Sequence, residues 1–242
     1  MTVLGCDGSY PGPHGAASGY LVRAGRTTVW LDAGPGTFAN LQVHVDPGQV
    51  DAVVLSHEHP DHWTDLESFA VWAKQHSRRR TPVYAPPGLR ARSYFADEPL
   101  LEWGTVEPAD VVSVGDLAVR FVATDHGPPT VAARFDAAGA ASGGPEAALA
   151  YSADSGPDWS VEELGRGLGT LLCEATYTRA FEGRFRHLSG RQAGEMAAAA
   201  GVRRLVTTHR WPTVSAEQVA TEAAEAFGGP VGQASVGAVF EW

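Results

Sequence analysis

Ala52-Val53-Val54-Leu55-Ser56-His57-Glu58-His59-Pro60-Asp61-His62 is the stretch that decides how this chain folds. Its first four residues are apolar, two of them β-branched, and a run of that kind reads as a buried strand. The chain then changes character at once. Three histidines and an aspartate fall between His57 and His62, on the loop that leaves the strand. Imidazoles and a carboxylate gathered on one loop suit zinc or a similar borderline cation. Alternate side chains share a face while strand geometry persists, so His57 and His59 point the same way. Asp61 and His62 turn away, as if toward a second ion. A solvated turn has no need of the spacing H-x-H-x-D-H.

The rest of the composition frames that reading. A chain of 242 residues can bury a full core, and we expect one domain over 1–242. It is 44% apolar and 19% charged, as soluble proteins commonly are. No stretch reaches the apolar length of a membrane span. Met1 to Cys6 carries no basic leader and enters strand pattern directly, so the expected location is cytoplasmic. Cys6 and Cys173 are the only cysteines. They make no disulfide framework and no thiolate zinc site. The formal net charge of −10 repels long polyanions, so extended nucleic acid is an unfavoured partner. A small phosphate ester is not excluded, because bound cations would dominate the local field.

Outward from the histidine stretch, strand and helix patterns alternate. Strands are expected over Met1–Cys6, Gly19–Arg23, Thr28–Leu31, Gln49–Leu55 and Pro82–Ala85. Further strands are expected over Val106–Val112, Leu117–Ala123, Thr130–Phe135, Ala147–Ser152, Arg204–His209 and Ser235–Phe240. Helices are expected over Thr37–Val43, Asp61–Lys74, Leu89–Phe95 and Ser215–Phe227, with another opened by a Ser189 cap and closed by Gly201. Asp136 to Glu146 reads as a turn, and Arg78-Arg79-Arg80 as a solvated loop. The alternation predicts layered sheets and helices in an α/β (α+β) chain.

The motif His57-x-His59-x-Asp61-His62 resembles the signature of the metallo-β-lactamase fold superfamily. The order of the other motifs resembles its ribonuclease Z-like branch, and within it the small actinobacterial cyclic-nucleotide phosphodiesterases. Leu31-Asp32-Ala33-Gly34-Pro35-Gly36 is similar to the family's L-D-x-G-x-G, in which the aspartate supports the metal loop without ligating. Ala153-Asp154-Ser155 resembles its G-D-T. Glu174-Ala175-Thr176 resembles the end of H-E-A-T, with Cys173 in the histidine slot. His187-Leu188-Ser189 resembles a helix start with histidine, and Leu205 to His209 the L-x-L-T-H strand. His126 stands after a β-rich run and before Gly127-Pro128-Pro129, a ligand position in the branch. The resemblance covers nearly the whole chain and implies a four-layer αββα sandwich.

It also implies a site. His57, His59 and His126 would hold a first ion, Asp61, His62 and His209 a second, with Asp154 between them. Two divalent ions are expected, zinc favoured, with manganese or iron also suited to a His/Asp set without thiolate. Asp61 would orient a water or accept its proton. His187, steadied by Glu174, would act as general acid or charge stabiliser. Arg184 and Arg186 could reach a phosphate and His14 a substrate or a ligand's support, but the reading preferred for all three is a solvated loop. The implied activity is a metal-dependent hydrolase of a small anionic phosphodiester, with 3′,5′-cyclic nucleotides favoured. A ribonuclease Z-like transfer-RNA 3′ endonuclease is the second reading, and a lactone or thioester hydrolase on the same fold the third. Bacterial ribonuclease Z carries a long tRNA-gripping arm between its His126-type and Asp154-type motifs. The turn Asp136 to Glu146 is short and holds no lysine or arginine. A homodimer is compatible with all three readings.

Overall fold

The computed structural model describes residues 1–77, 79–137 and 147–242. Most of the expected turn Asp136 to Glu146, and Arg78 of the arginine run, lie outside the described residues. Among the described residues, strands form two sheets and four α-helices cover them.

The first sheet holds β1 (Thr2–Gly5), β2 (Gly19–Ala24), β3 (Thr27–Ala33), β4 (Ala52–Val54), β5 (Thr81–Ala85) and β6 (Leu101–Thr105), in that spatial order. β1, β2 and β3 pair antiparallel, then β3 to β6 run parallel. The second sheet is built alike. β7 (Val111–Val114), β8 (Leu117–Ala123), β9 (Val131–Ala137) and β10 (Leu149–Tyr151) pair antiparallel. β10 continues parallel into β11 (Thr170–Glu174), β12 (Arg204–Thr208) and β13 (Val231–Gln233). Each sheet therefore starts as a meander and ends in parallel crossovers.

Three buried apolar clusters correspond to the three interfaces of a four-layer αββα sandwich. One lies between the sheets, with Tyr20, Leu31, Val54, Phe121, Phe135, Tyr151 and Leu172. A second packs the outer face of the first sheet under α1 (Thr37–His44) and α2 (Asp65–His76). α2 buries Leu66, Phe69, Ala70 and Ala73, one face at helical spacing. Asp65 and Glu67 in its first turn, and Lys74 and His76 in its last, complement the helix dipole. The third packs the second sheet under α3 (Gly190–Ala199) and α4 (Ala216–Phe227). These two helices approach closely: a Cβ on Gly190 would stand 2.2 Å from the Val219 carbonyl oxygen. No described helix is long and apolar enough to cross a membrane.

Several local expectations need correction. The helix expected from Asp61 starts at Asp65, because Pro60 to His62 forms a tight 3₁₀ turn first. Pro60 presets that turn and the site needs Asp61 and His62 there rather than on a helix face. The Leu89–Phe95 helix is reduced to a 3₁₀ turn over Leu89–Arg92. Of the strand expected over Val106–Val112 only Val111 and Val112 are in one, at the start of β7; β6 ends at Thr105, and the stretch between, which holds Pro108 with no N–H to give to a ladder, joins the two sheets. The closing strand is Val231–Gln233, while Val239 makes only an isolated bridge to Thr2. The Ser189 cap is present as a full capping box with Gln192.

Candidate metal centre

The site lies where strands end. Asp32 is the penultimate residue of β3, His57 follows β4, His126 follows β8, Asp154 follows β10, Glu174 ends β11 and His209 follows β12. Carboxyl ends of strands are where such layered folds bind ligands, since the loops there converge over one cleft.

His57, His59, His126 and Asp154 place donor atoms together, and Asp61, His62 and His209 form a second group. In the first, His57 Nε2 and His126 Nε2 stand 3.0 and 3.1 Å from His59 Nδ1. Asp154 Oδ2 lies 3.6 Å from His57 Nε2 and 3.8 Å from His126 Nε2. In the second, Asp61 Oδ2 is 3.2 Å from His209 Nε2 and 3.4 Å from His62 Nε2. Asp154 Oδ1 is 3.3 Å from both His62 Nε2 and His209 Nε2. One carboxylate thus turns a different oxygen to each group.

The groups fit divalent cations. Donors at bond lengths of about 2.0–2.1 Å around a tetrahedral centre stand roughly 3.3 Å apart, the spacing of the second group. His62 Nε2 and Asp154 Oδ1 are buried and lack a hydrogen-bond partner despite their proximity. Buried polar atoms without partners call for an explanation, and a shared cation is one. The electrostatics agree. Burial opposes charge on His62, yet Asp154, Asp61 and Asp32 together raise its pKa well above the ordinary value. Burial also penalises the Asp154 carboxylate, and His209, His62 and His57 overcome that and hold it well below the usual range. His57, buried and next to His62, is held well below its ordinary value and so neutral. A nest of carboxylates that keeps a buried imidazole protonated is a nest that demands positive charge.

A supporting layer fixes the ring orientations. Asp32 Oδ2 accepts from His62 Nδ1 (2.7 Å), Ser56 Oγ (2.9 Å) and Tyr151 Oη (2.8 Å). Ser56 Oγ gives its proton to Asp32, so at 3.0 Å it accepts from His57 Nδ1. Thr176 Oγ1 gives its proton to Glu174 Oε2 (2.6 Å) and accepts from His209 Nδ1 (2.9 Å). In each ring Nδ1 is committed as donor, so Nε2 is the atom turned to the cleft, where a cation would take the place of any proton on it. Ser9 N donates to Asp61 Oδ2 at 2.8 Å.

His187 and Glu174 form a separate pair at the edge. His187 Nδ1 lies 3.1 Å from Glu174 Oε1 and 3.9 Å from Asp154 Oδ2. Asp154, His187 and His209 make a third possible donor group, but Glu174 already engages the His187 nitrogen. Burial lowers the His187 pKa, and Glu174 outweighs it and lifts the value to about 9. Glu174 also accepts from Ser155 N (2.6 Å) and Leu188 N (3.1 Å) and is fully buried. It therefore ties His187 directly, and His209 through Thr176, into one network.

The loop residues fall outside the cluster. His14 is exposed. Arg186 Nε lies 3.5 Å from Asp125 Oδ1, and Arg184 sits over the Phe181 ring at 5.3 Å. Ser56, Tyr151 and Thr176 are functional supports that sequence reasoning passed over. Adjacency of Ser56 to His57 and of Thr176 to Glu174 was the available signal, whereas nothing local marks Tyr151.

Comparison with known proteins agrees with this architecture. A family model described as a beta-lactamase superfamily domain matches residues 27–210. The uncharacterized protein Rv1339 of Mycobacterium tuberculosis is 39% identical, over 96% of this chain and 88% of that protein. A ribonuclease Z of Methanopyrus kandleri is 32% identical, over 94% of this chain and 92% of its own length. Among solved structures, the metallo-beta-lactamase fold protein YhfI from Bacillus subtilis superposes with a TM-score of 0.88 at 26% identity, covering 99% of this chain and 97% of that one.

Proposed function

We propose that this chain, which belongs to the beta-lactamase superfamily, is a binuclear metal-dependent hydrolase of a small phosphodiester, with 3′,5′-cyclic nucleotides favoured. The observation that carries the reading is Asp154, whose two oxygens face two separate nitrogen-rich donor groups. In this proposal His57, His59 and His126 hold one ion, Asp61, His62 and His209 the other, and Asp154 serves both. Zinc is favoured, and manganese or iron also suit these donors. Ions bound there supply a water acidified toward neutral pH and positive charge for the phosphate oxygens.

The remaining work belongs to the chain. Burial raises the Asp61 carboxyl, but His62 and His209 outweigh it and keep it ionised at any working pH. A carboxylate so placed orients a water or takes its proton. His187 is protonated near neutral pH by virtue of Glu174. Its free ring nitrogen is the group to meet charge on the leaving oxygen, as general acid or as stabiliser. Glu174 acts through His187 and is a positioning residue.

Substrate size follows from charge. The interval Asp136 to Glu146 carries two acidic residues and no basic one, and the chain carries a net −10. Such a chain grips a long polyanion poorly, and a single phosphate needs only the two ions. The ribonuclease Z relative keeps the second reading, tRNA 3′ cleavage, in play. The test is a panel of metal-loaded protein against cyclic AMP, cyclic GMP, bis(p-nitrophenyl) phosphate, a lactone and precursor tRNA. Turnover of the small diesters, with weak or no tRNA cleavage, is the expected result. Efficient tRNA 3′ cleavage beside inert cyclic nucleotides reverses the first two readings, and lactone turnover alone selects the third.

A further inference from the structure

Beside His126 a hollow of about 340 Å³ opens, walled by Pro86, Pro87, Pro108, Pro128 and Pro129. No aspartate, glutamate, lysine or arginine lines it. Its two threonine hydroxyls have already given away their protons: Thr124 Oγ1 donates to the Asp154 carbonyl oxygen (2.7 Å) and Thr130 Oγ1 to that of Pro128 (2.9 Å). What remains is mostly hydrocarbon, with backbone polar groups and the His126 imidazole in its wall. Its walls are tied to the metal-loop residues at three points. Thr124 bonds the backbone of Asp154, Val131 N bonds Ser56 O at 3.0 Å, and Arg92 grips Glu58 with two bonds of 2.9 and 3.0 Å just beyond Pro86-Pro87-Gly88. A rigid wall at a fixed place beside a reactive centre is a specificity element.

A phosphodiester whose anionic oxygens face cations held by the two donor groups must send its esterified group outward. A group that passes His126 enters a space without countercharge, where a second phosphate or a carboxylate would lose its hydration for nothing. Proline rings pack well against aromatic faces, and the volume is at the small end of ligand pockets, right for one ring system.

We infer that this hollow binds a planar, uncharged ring carried by the group esterified to the phosphate, either a nucleobase on its sugar or an aryl group. The inference rests on the phosphodiesterase reading. It narrows the substrate to ring-bearing esters with a single charged phosphate, and makes the prolines specificity residues rather than spacers.

Gly127 provides the test. It lines the hollow, and a Cβ there would meet nothing within 4 Å. Gly127→Leu therefore adds a side chain at the edge of the hollow from a Cβ that pushes on no neighbour. Pro87→Ala, which removes an exposed wall ring, is a second, milder variant. For metal-loaded wild type and both variants, kcat/KM is measured on cyclic AMP, on bis(p-nitrophenyl) phosphate and on ribose 3′,5′-cyclic phosphate lacking the base, with metal content checked. Gly127→Leu is expected to lower kcat/KM on a ring-bearing diester on the order of 10–100-fold relative to the base-free one, from the loss of about 100 Å² of apolar contact. Pro87→Ala should shift the same ratio several-fold. A loss on cyclic AMP identifies a base as occupant, and a loss on the aryl diester an aryl ring. Equal losses on all three, or a wild type with no preference for ring-bearing substrates, overturn the inference. Calorimetric titration with adenosine separates it from the activity. Binding by wild type that Gly127→Leu abolishes sustains the hollow even if no diester is turned over. No binding at millimolar adenosine, beside active diester hydrolysis, removes the hollow and leaves the activity.

Discussion

Glu174→Gln changes one oxygen for one amide and should expose how the edge of the site is held. Glu174 receives four donors: Ser155 N, His187 Nδ1, Leu188 N and Thr176 Oγ1. Glutamine keeps one acceptor oxygen. Whichever way the amide turns, its NH2 faces either Ser155 N–H or Leu188 N–H, and a stranded buried donor costs about 1–3 kcal/mol at every pH. A second contribution depends on pH. His187 titrates at about 9 in the folded chain against about 6.5 unfolded. Its folded value is raised, so the stability it contributes is fully present below about pH 6.5 and is lost as pH rises through 9. At 1.36 kcal/mol for each unit, that contribution is about 3 kcal/mol. Without the Glu174 charge it vanishes. The gap between wild type and variant should therefore be about 4–6 kcal/mol at pH 6 and about 1–3 kcal/mol above pH 9.5. For a chain of this size that is a Tm difference on the order of 10–20 °C at pH 6. Urea titrations of metal-stripped protein from pH 6 to pH 10 measure it without interference from bound ions. A gap that stays constant across that range would show that Glu174 does not hold the His187 proton, and the assignment of His187 as an acid would fall with it.

Three further outcomes are expected. Purified protein should hold about two divalent ions per chain, and Asp154→Ala should deplete both, because a different oxygen of that carboxylate faces each donor group; elemental analysis that finds one site fully retained contradicts the shared role. His187→Ala should keep its metal and lose about 10²–10⁴-fold in kcat, whereas loss of metal in that variant would make His187 a ligand. Burial, with Glu174 next, pushes the Cys173 thiol up to about 12, and burial, with Asp7 next, does the same for Cys6. Native protein at pH 8 should then react with a thiol reagent on the order of 10³-fold more slowly than urea-unfolded protein, and one fast thiol would show that a pocket reaches it.

The layered α/β pattern was legible because each sheet's strands are short apolar runs and each helix carries one apolar face. α2 shows why boundaries were not. The apolar spacing of Trp63, Leu66, Phe69 and Ala70 begins inside the metal loop, and only the 3₁₀ turn at Pro60 to His62 separates the two. The candidate ligands were legible as residue types after strands, but their convergence is a tertiary fact. His126 and Asp154 follow β8 and β10, which are separated by β9 in the sheet, yet His126 Nε2 and Asp154 Oδ2 are 3.8 Å apart. Tyr151 reaches Asp32 across 119 positions of sequence, and no local pattern could foretell that bond. Ser56 and Thr176 looked like loop filler because a hydroxyl is informative only once its two partners are known.

Backbone strain marks the same place. Asp32, Ala153 and His209 adopt left-handed φ values of 52°, 52° and 53° without being glycine. Each such residue costs about 1–2 kcal/mol, and all three stand at the strand ends that carry the site. At Ala153 the family resemblance has glycine, and here a fully buried methyl group is accepted in the same conformation. The left-handed residue reverses the chain directly after the strand, which brings the Asp154 carboxylate back over the sheet edge and turns His209 Nε2 toward it. The strain is sustained because the groups it aims are fixed on both sides, His209 by Thr176 and Asp32 by Ser56, Tyr151 and His62. Strain held in place by a bonded network, at three strand ends facing one cleft, holds the candidate donor atoms in fixed positions.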